Sequence, residues 1–479
     1  MSFSQSTTPK LAVNTYSHGV LGNHDATAIA EMIKKGEISA QEAVSCAIER
    51  AKSSHEALNA IVSDRFESSL QEASEPLQNG VFAGVPTFIK DLNDFKGLPT
   101  RMGCKGVSNK PVKEHDEVVR QILSVTGAVV LGKSTTSEFG FLPCGETLFG
   151  DTHNPWNTAY STGGSSAGSA ALVAAGVVPF AHASDGGGSI RIPASCNGLV
   201  GLKPSRKRNV TSMTASLVPI NIAEDGILSR SVRDTANYYA GLERYHREKS
   251  LPPIGHVQGP GKKRLKIALF TESPAGIESH DSVKDAVIKT GQILEKTGHQ
   301  ITYISSPFRH EFSRDFIFYW SYLAFMNHLG ELIKKGTGYN PLKVTRFTRE
   351  LSGIFPFLSP GTGAALSRLR KFEQYYYKQF DQYDVLLSPV LSHPPPKLGH
   401  FGPHVNGIDI LMRLNAYINF TPVQNITGAP AISLPMGFSR EGLPIGVQLA
   451  AENGAERKLL ELAFEIEAEG GFASTPFFR

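Results

Sequence analysis

The segment Tyr160–Pro204, YSTGGSSAGSAALVAAGVVPFAHASDGGGSIRIPASCNGLVGLKP, limits what this chain can fold into more than any other. It sets two clusters of glycine and serine, Gly163–Ser169 and Gly186–Ser189, inside sequence that is otherwise small and apolar. Flexible linkers are also rich in these residues, but core-like sequence does not flank them on both sides. Glycine in buried surroundings supplies backbone angles, or a closeness of approach, that a Cβ forbids. Successive N–H groups in such a turn can hold an anion. Two anions are candidates: a bound phosphate and the transient oxyanion of acyl transfer. A phosphate loop needs GxxxxGK[ST], and no lysine follows either cluster. A dinucleotide site needs GxGxxG in register after a strand, and neither cluster fits.

Acyl transfer needs a nucleophile, a base and donors for the oxyanion. Ser189 follows three glycines, so the N–H groups of Gly186, Gly187, Gly188 and Ser189 are candidate donors. The usual base is histidine, but His182 lies too near in sequence and reads as a satisfied core residue. Lys90, in GVPTFIKDLND, ends the apolar run Val85–Ile89. It reads either as a buried base or as an ordinary strand-end lysine paired with Asp91.

Other short apolar runs bounded by turn residues are Ala128–Leu131, Ile267–Phe270, Val385–Leu387, Ile432–Leu434 and Val447–Leu449. Alternating with helical periodicity, they predict an α/β layered sheet. Ile267–Phe270, the periodic segment Val283–Leu294 with Gly298 after it, and Ile301–Ile304 form one βαβ candidate. Helical signals begin at Asp25, and Ser39 with Glu42 has capping-box spacing. The polar residues 1–24 are expected to be a loosely held tail. Arg244–Lys266 and Leu391–Gly407 read as loops. Phe312, Phe316, Phe318, Tyr319, Trp320, Tyr322 and Phe325 read as a helix packing into the core, with a substrate-pocket wall as the alternative.

Composition excludes several function classes. Apolar residues make up 41% and charged residues 19% of 479, which excludes disorder over most of the length. Forty-eight basic against 44 acidic residues leave a net charge of +4, too weak an excess to imply nucleic acid or acidic lipid. Basic residues cluster only locally, at Lys203–Arg208 and Lys262–Lys266. The four cysteines lie at least 40 residues apart, with no CxxC pair, so no zinc ribbon is expected and a reduced cytoplasmic setting is. No signal peptide is expected from the polar N-terminus, and Gly168–Ala183, broken by Pro179 and His182, is a poor membrane span.

Three motifs in order carry a family resemblance. Gly84-Val-Pro86 with Lys90-Asp91, then Gly163-Gly-Ser165-Ser166-Ala-Gly-Ser169, then Asp185-Gly-Gly-Gly-Ser189-Ile-Arg191-Ile-Pro193 resemble the amidase signature family. The intervals fit, with 75 residues from Lys90 to Ser165 and 24 from Ser165 to Ser189. Asn425–Gln448 is similar to that family's closing motif. The resemblance implies one large α/β domain, residues 25–479, whose mixed central sheet is covered by helices on both faces. Within it, about 80–205 would be the catalytic core, about 205–415 the variable pocket region, and about 416–450 the closing motif.

The resemblance further implies a Ser-cisSer-Lys triad of Ser189 as nucleophile, Ser165 as proton relay and Lys90 as base, with a cis Gly164–Ser165 peptide. Ser166 and Gly164 would support the triad, and Asp185 with Arg191 would brace the loop as an internal charge pair. Ala167 stands where the family has glycine, and Gly186 where threonine is usual. The implied substrate is a small-molecule amide, and no metal or organic cofactor, nucleic acid or membrane is implied. Similarity within the family points towards the 6-aminohexanoate-cyclic-dimer hydrolases. An amidotransferase glutaminase-type subunit and a non-catalytic binding protein on the same fold are the alternatives. Whether the chain forms a homodimer is left open.

Overall fold

The computed structural model describes residues 12–210, 216–308, 311–333, 338–470 and 472. Two sheets organise them. Strands β1 (Ile61–Asp64), β2 (Pro86–Lys90) and β3 (Val129–Ser134) form a small sheet in the order β1-β3-β2, with β2 parallel and β1 antiparallel to β3. Eight further strands form the large mixed sheet: β4 (Phe180–Asp185), β5 (Val200–Lys203), β6 (Glu224–Ser229), β7 (Lys266–Leu269), β8 (Gln300–Tyr303), β9 (Val385–Pro389), β10 (Ala431–Phe438) and β11 (Pro444–Ala450). Their order is β8-β7-β9-β11-β10-β5-β6-β4.

The expected βαβ unit is present. β7 and β8 pair in parallel, Ile267 opposite Ile301, across the helix Asp281–Lys296. Successive side chains of a strand point to opposite faces, and the core divides accordingly. Ile267, Leu269, Val385, Leu387, Ile432 and Leu449 join one apolar cluster with Val283, Val287 and Leu294 of that helix and Leu459 of the helix Glu456–Ala468. Ala268, Leu386, Ala431 and Ala450 join another with Phe312, Tyr319, Leu369 and Tyr376. Helices therefore cover both faces of the sheet.

The region from 309 to 415 contributes two long helices, Glu311–Ile333 and Arg346–Tyr377, packed against one another. No described helix is long and apolar enough to cross a membrane.

The start of the chain departs from expectation. Residues 1–11 of the expected loose tail lie outside the described residues, but 12–24 are tied down. The Val13 N–H donates to the Pro155 carbonyl and the Thr15 N–H to that of Ala175. Arg50, buried in the capped helix Ala40–Leu58, donates to the carbonyls of Tyr16, His18 and Gly22. A buried guanidinium needs acceptors, and this polar segment supplies them from its backbone. The basic run Lys203–Arg208 is likewise internal in part: Lys203 is buried, and Arg208 pairs with Glu456 at 3.0 Å.

Candidate active site

Lys90 ends β2 with its side chain fully buried. Its Nζ lies 2.8 Å from Ser165 Oγ, 2.9 Å from Ser184 Oγ and 3.3 Å from the Ser184 carbonyl. These are three acceptors for the three protons of an ammonium. A neutral amine there keeps two protons and turns its lone pair to one hydroxyl. Burial pulls Lys90 down to about 7, while the Asp225 and Asp185 carboxylates pull the other way. The strand-end pairing with Asp91 does not occur. Asp91 instead meets Lys133 at 2.8 Å and accepts from the Arg101 N–H.

Ser165 follows a cis Gly164–Ser165 peptide. A Cβ on Gly164 would stand 2.5 Å from the backbone N and O of Cys144, so the turn closes only over glycine. The next residues, GSSAG at 164–168, also satisfy the GxSxG spacing with Ser166 at the centre. Ser166 is no exposed nucleophile, however. It is buried, and its hydroxyl donates to the Ser189 carbonyl at 2.7 Å. It thereby ties the first glycine-serine cluster to the second.

Ser189 sits in the turn between β4 and the helix Arg191–Asn197, 8% exposed, and lines a cleft. Asp185 and Arg191 form the expected internal brace. The guanidinium donates to both carboxylate oxygens of Asp185, at 2.9 and 3.0 Å. It also donates to Asn425, Gln424 and Gln448. Burial alone would raise Asp185, but Arg191 overrides it and holds the carboxyl well below the usual carboxylate range.

One candidate oxyanion donor is corrected by this brace. The Gly188 N–H is already committed to Asp185 Oδ1 at 2.7 Å, because a carboxylate three residues upstream reaches back into the turn. The N–H groups of Gly186, Gly187 and Ser189 make no such bond among the described residues. Gly188 remains obligatory, since its φ is +124° and a Cβ there would collide with the Thr421 hydroxyl. A Cβ on Gly186, by contrast, meets nothing within 4 Å. The open space accords with threonine being usual at that position.

A cleft opens beyond Ser189. Phe141, Ile192, Phe316, Trp320, Leu411 and Leu414 supply apolar walls, and Asn415 and Asn419 are among its few polar side chains. No charged side chain lines it among the described residues. Phe316 stacks on Trp320 at 5.4 Å, and Phe141 meets Trp320 edge-on at 5.3 Å. The aromatic run of 312–325 thus divides: Phe312 and Tyr319 are core residues, Phe316 and Trp320 are pocket wall, and Phe312 borders the cleft as well.

Sequence reasoning missed Ser184, the second hydroxyl on Lys90, and Asp225. It also missed Gln424, Asn425 and Gln448 as holders of Arg191. For the last three a signal existed, namely uncharged amides inside the apolar closing motif.

Known proteins share this sequence pattern and this fold. The sequence model of the family described as Amidase matches residues 42–460. AmiC of Mycobacterium tuberculosis is 41% identical over 95% of this chain and 96% of its own length. The 6-aminohexanoate-cyclic-dimer hydrolase of Paenarthrobacter ureafaciens is 32% identical over 92% and 94%. A solved structure of 6-aminohexanoate cyclic dimer hydrolase superposes with a TM-score of 0.84 at 29% identity, covering 95% of this chain and 98% of that one. With the fold, the buried lysine and the two glycine-serine turns, these matches establish that the chain belongs to the amidase signature family, hydrolases of carbon–nitrogen bonds other than peptide bonds.

Proposed function

We propose that this protein cleaves a neutral, apolar amide through an acyl-enzyme on Ser189, with Ser165 as relay and Lys90 as base. The observation that carries the reading is the 2.8 Å contact between the buried Lys90 Nζ and Ser165 Oγ, beside the turn that presents Ser189 to the cleft. Neutral Lys90 takes the Ser165 proton as Ser165 takes that of Ser189, and Ser189 Oγ bonds to the amide carbon. The N–H groups of Gly186, Gly187 and Ser189 face the oxyanion, each good donor contributing roughly 10²–10³ in rate. As the C–N bond breaks, the proton returns through Ser165 to the leaving nitrogen. Water then attacks the ester by the same route, releasing the acid and restoring Ser189.

The uncharged walls favour a substrate without a charged end. A cyclic dimer of 6-aminohexanoate, the substrate named for two of the relatives, has no free terminus and fits that requirement, as do apolar aryl amides. A glutaminase subunit would need a cation for the glutamine carboxylate, and the described lining supplies none. The test is to treat the purified protein alone with a fluorophosphonate, map the adduct by peptide mass spectrometry, and include Ser189→Ala. Labelling at Ser189 that vanishes in the variant is expected, followed by turnover within a panel of anilides, aliphatic amides and the cyclic dimer. No labelling between pH 7 and 9 would sink the reading and favour a partner-dependent subunit or a binding protein.

A further inference from the structure

Strands β2 and β4 lie side by side, but side chains bridge them where a backbone ladder would run. The Thr87 hydroxyl donates to the Phe180 carbonyl at 3.0 Å, and the Lys90 N–H donates to His182 Nδ1 at 3.2 Å. A backbone amide has only a proton to give, so Nδ1 is the bare ring nitrogen. The ring proton is then on Nε2, which donates to Asp225 Oδ1 at 3.0 Å. His182 is fully buried. Strand β6 delivers Asp225: in its antiparallel pairing with β4, Asp225 stands opposite Ser184 and Ile227 opposite His182. Opposed residues, and residues two apart, share a face of the sheet. His182, Ser184 and Asp225 therefore all face β2, and one strand pair grips Lys90 by its main chain and by its Nζ.

Of the two carboxylates that act on Lys90, Asp185 is fully engaged by Arg191. Asp225 has no lysine or arginine partner among the described residues; its one ionisable contact is His182. The other titratable groups around it are Glu224, next to it on β6 and held by Asn209, and Tyr238 of the helix Val232–Tyr245, whose buried hydroxyl Asp225 pushes further up.

We propose that His182 and Asp225 are a positioning pair for the amide-cleaving reaction: the ring fixes the main chain of Lys90, and the carboxylate is the negative charge against which Lys90 takes up and releases its proton. This rests on Lys90 being the base. Asp225→Asn keeps an acceptor for His182 Nε2–H and removes only the charge. The rate of Ser189 labelling, or kcat/KM once a substrate is known, would be followed from pH 5 to 9 in the wild type, Asp225→Asn, Asp225→Ser, Asp225→Glu and Lys90→Met.

Removing the charge makes the ammonium easier to deprotonate. The acid limb is therefore expected to move down by about one pH unit in Asp225→Asn and Asp225→Ser, and to stay in place in Asp225→Glu. A purely structural role would lower thermal stability and the plateau rate without moving the limb. An unmoved limb in either folded, charge-free variant overturns the proposal. If Lys90→Met labels like the wild type, the reading of Lys90 as base fails instead. If it is inactive while the limb stays put, only the positioning pair fails.

Discussion

Replacing Lys90 by methionine should alter how stability depends on pH, by an amount that follows from the burial of the amine. Lys90 titrates at about 7 in the folded protein, against 10.5 ordinarily, chiefly because burial disfavours the ammonium. Between those two values the unfolded chain binds one proton more than the folded one, so wild-type stability rises with pH. Below 7 both states hold the proton, and the cost of the buried charge is present in full. Above 10.5 neither holds it, and the cost is gone. At about 1.4 kcal/mol per decade, the cost is about 5 kcal/mol at pH 6 and about 2 kcal/mol at pH 9.

Methionine has a similar unbranched shape and does not titrate. It leaves the Ser165 and Ser184 hydroxyls without their amine partner, but that loss is a constant offset. The stability difference between Lys90→Met and the wild type should therefore shrink by about 3 kcal/mol from pH 6 to pH 9. Paired urea-unfolding midpoints or melting temperatures across that range measure the shrinkage without an absolute free energy. The wild-type labelling rate reports the same titration. Its neutral fraction climbs from about one tenth at pH 6 to about nine tenths at pH 8. A stability gap that stays constant with pH, or a labelling limb centred above pH 9, would refute the account of a buried amine titrating near neutrality.

The two glycine turns make opposite predictions. Gly164→Ala forces a Cβ into the Cys144 backbone and should cost about 3 kcal/mol and abolish Ser189 labelling. Gly186→Ala should stay within about 0.5 kcal/mol of the wild type in the same melting assay. Trp320→Ala removes the ring that holds Phe316 and Phe141 in the wall, so kcat/KM for a bulky apolar amide should fall about tenfold or more, with little change for a short aliphatic one.

What the sequence disclosed follows the physics of each feature. Lys90, Ser165 and Ser189 stood out through the family resemblance, whose glycine motifs carry a constraint on residue type: Gly164 has no room for a Cβ, and Gly188 needs a positive φ. The strands were legible because apolar runs between turn residues are what a sheet covered on both faces requires. The helix Arg346–Tyr377 was not. Pro356 and Pro360 lie inside it, Gly353, Gly361 and Gly363 interrupt its pattern, and its packing against Glu311–Ile333 overrides those local preferences. His182 was read as a satisfied core histidine, and it is satisfied. Its partners, the Lys90 N–H and Asp225, lie 92 and 43 residues away, a pairing that no local pattern encodes.

The seam between the two sheets explains why the site is built as it is. Lys90 belongs to the small sheet, while Ser184 and the turn carrying Ser189 belong to the large one, so the proposed proton path crosses from one to the other. A continuous backbone ladder between β2 and β4 would satisfy the Lys90 N–H with a carbonyl. Pairing through His182 Nδ1 satisfies the same donor and carries the contact on to a carboxylate. At the far end of the turn, Arg191 binds Asp185 together with Gln424, Asn425 and Gln448 from the closing motif, so that motif holds the glycine turn closed although it lies more than 230 residues away in sequence. Buried charge is costly unless it is paired and hydrogen-bonded. Here the paired charges fix the turn, while Lys90, a buried amine without a direct carboxylate partner, is held by two serine hydroxyls and pulled down to about 7 by burial.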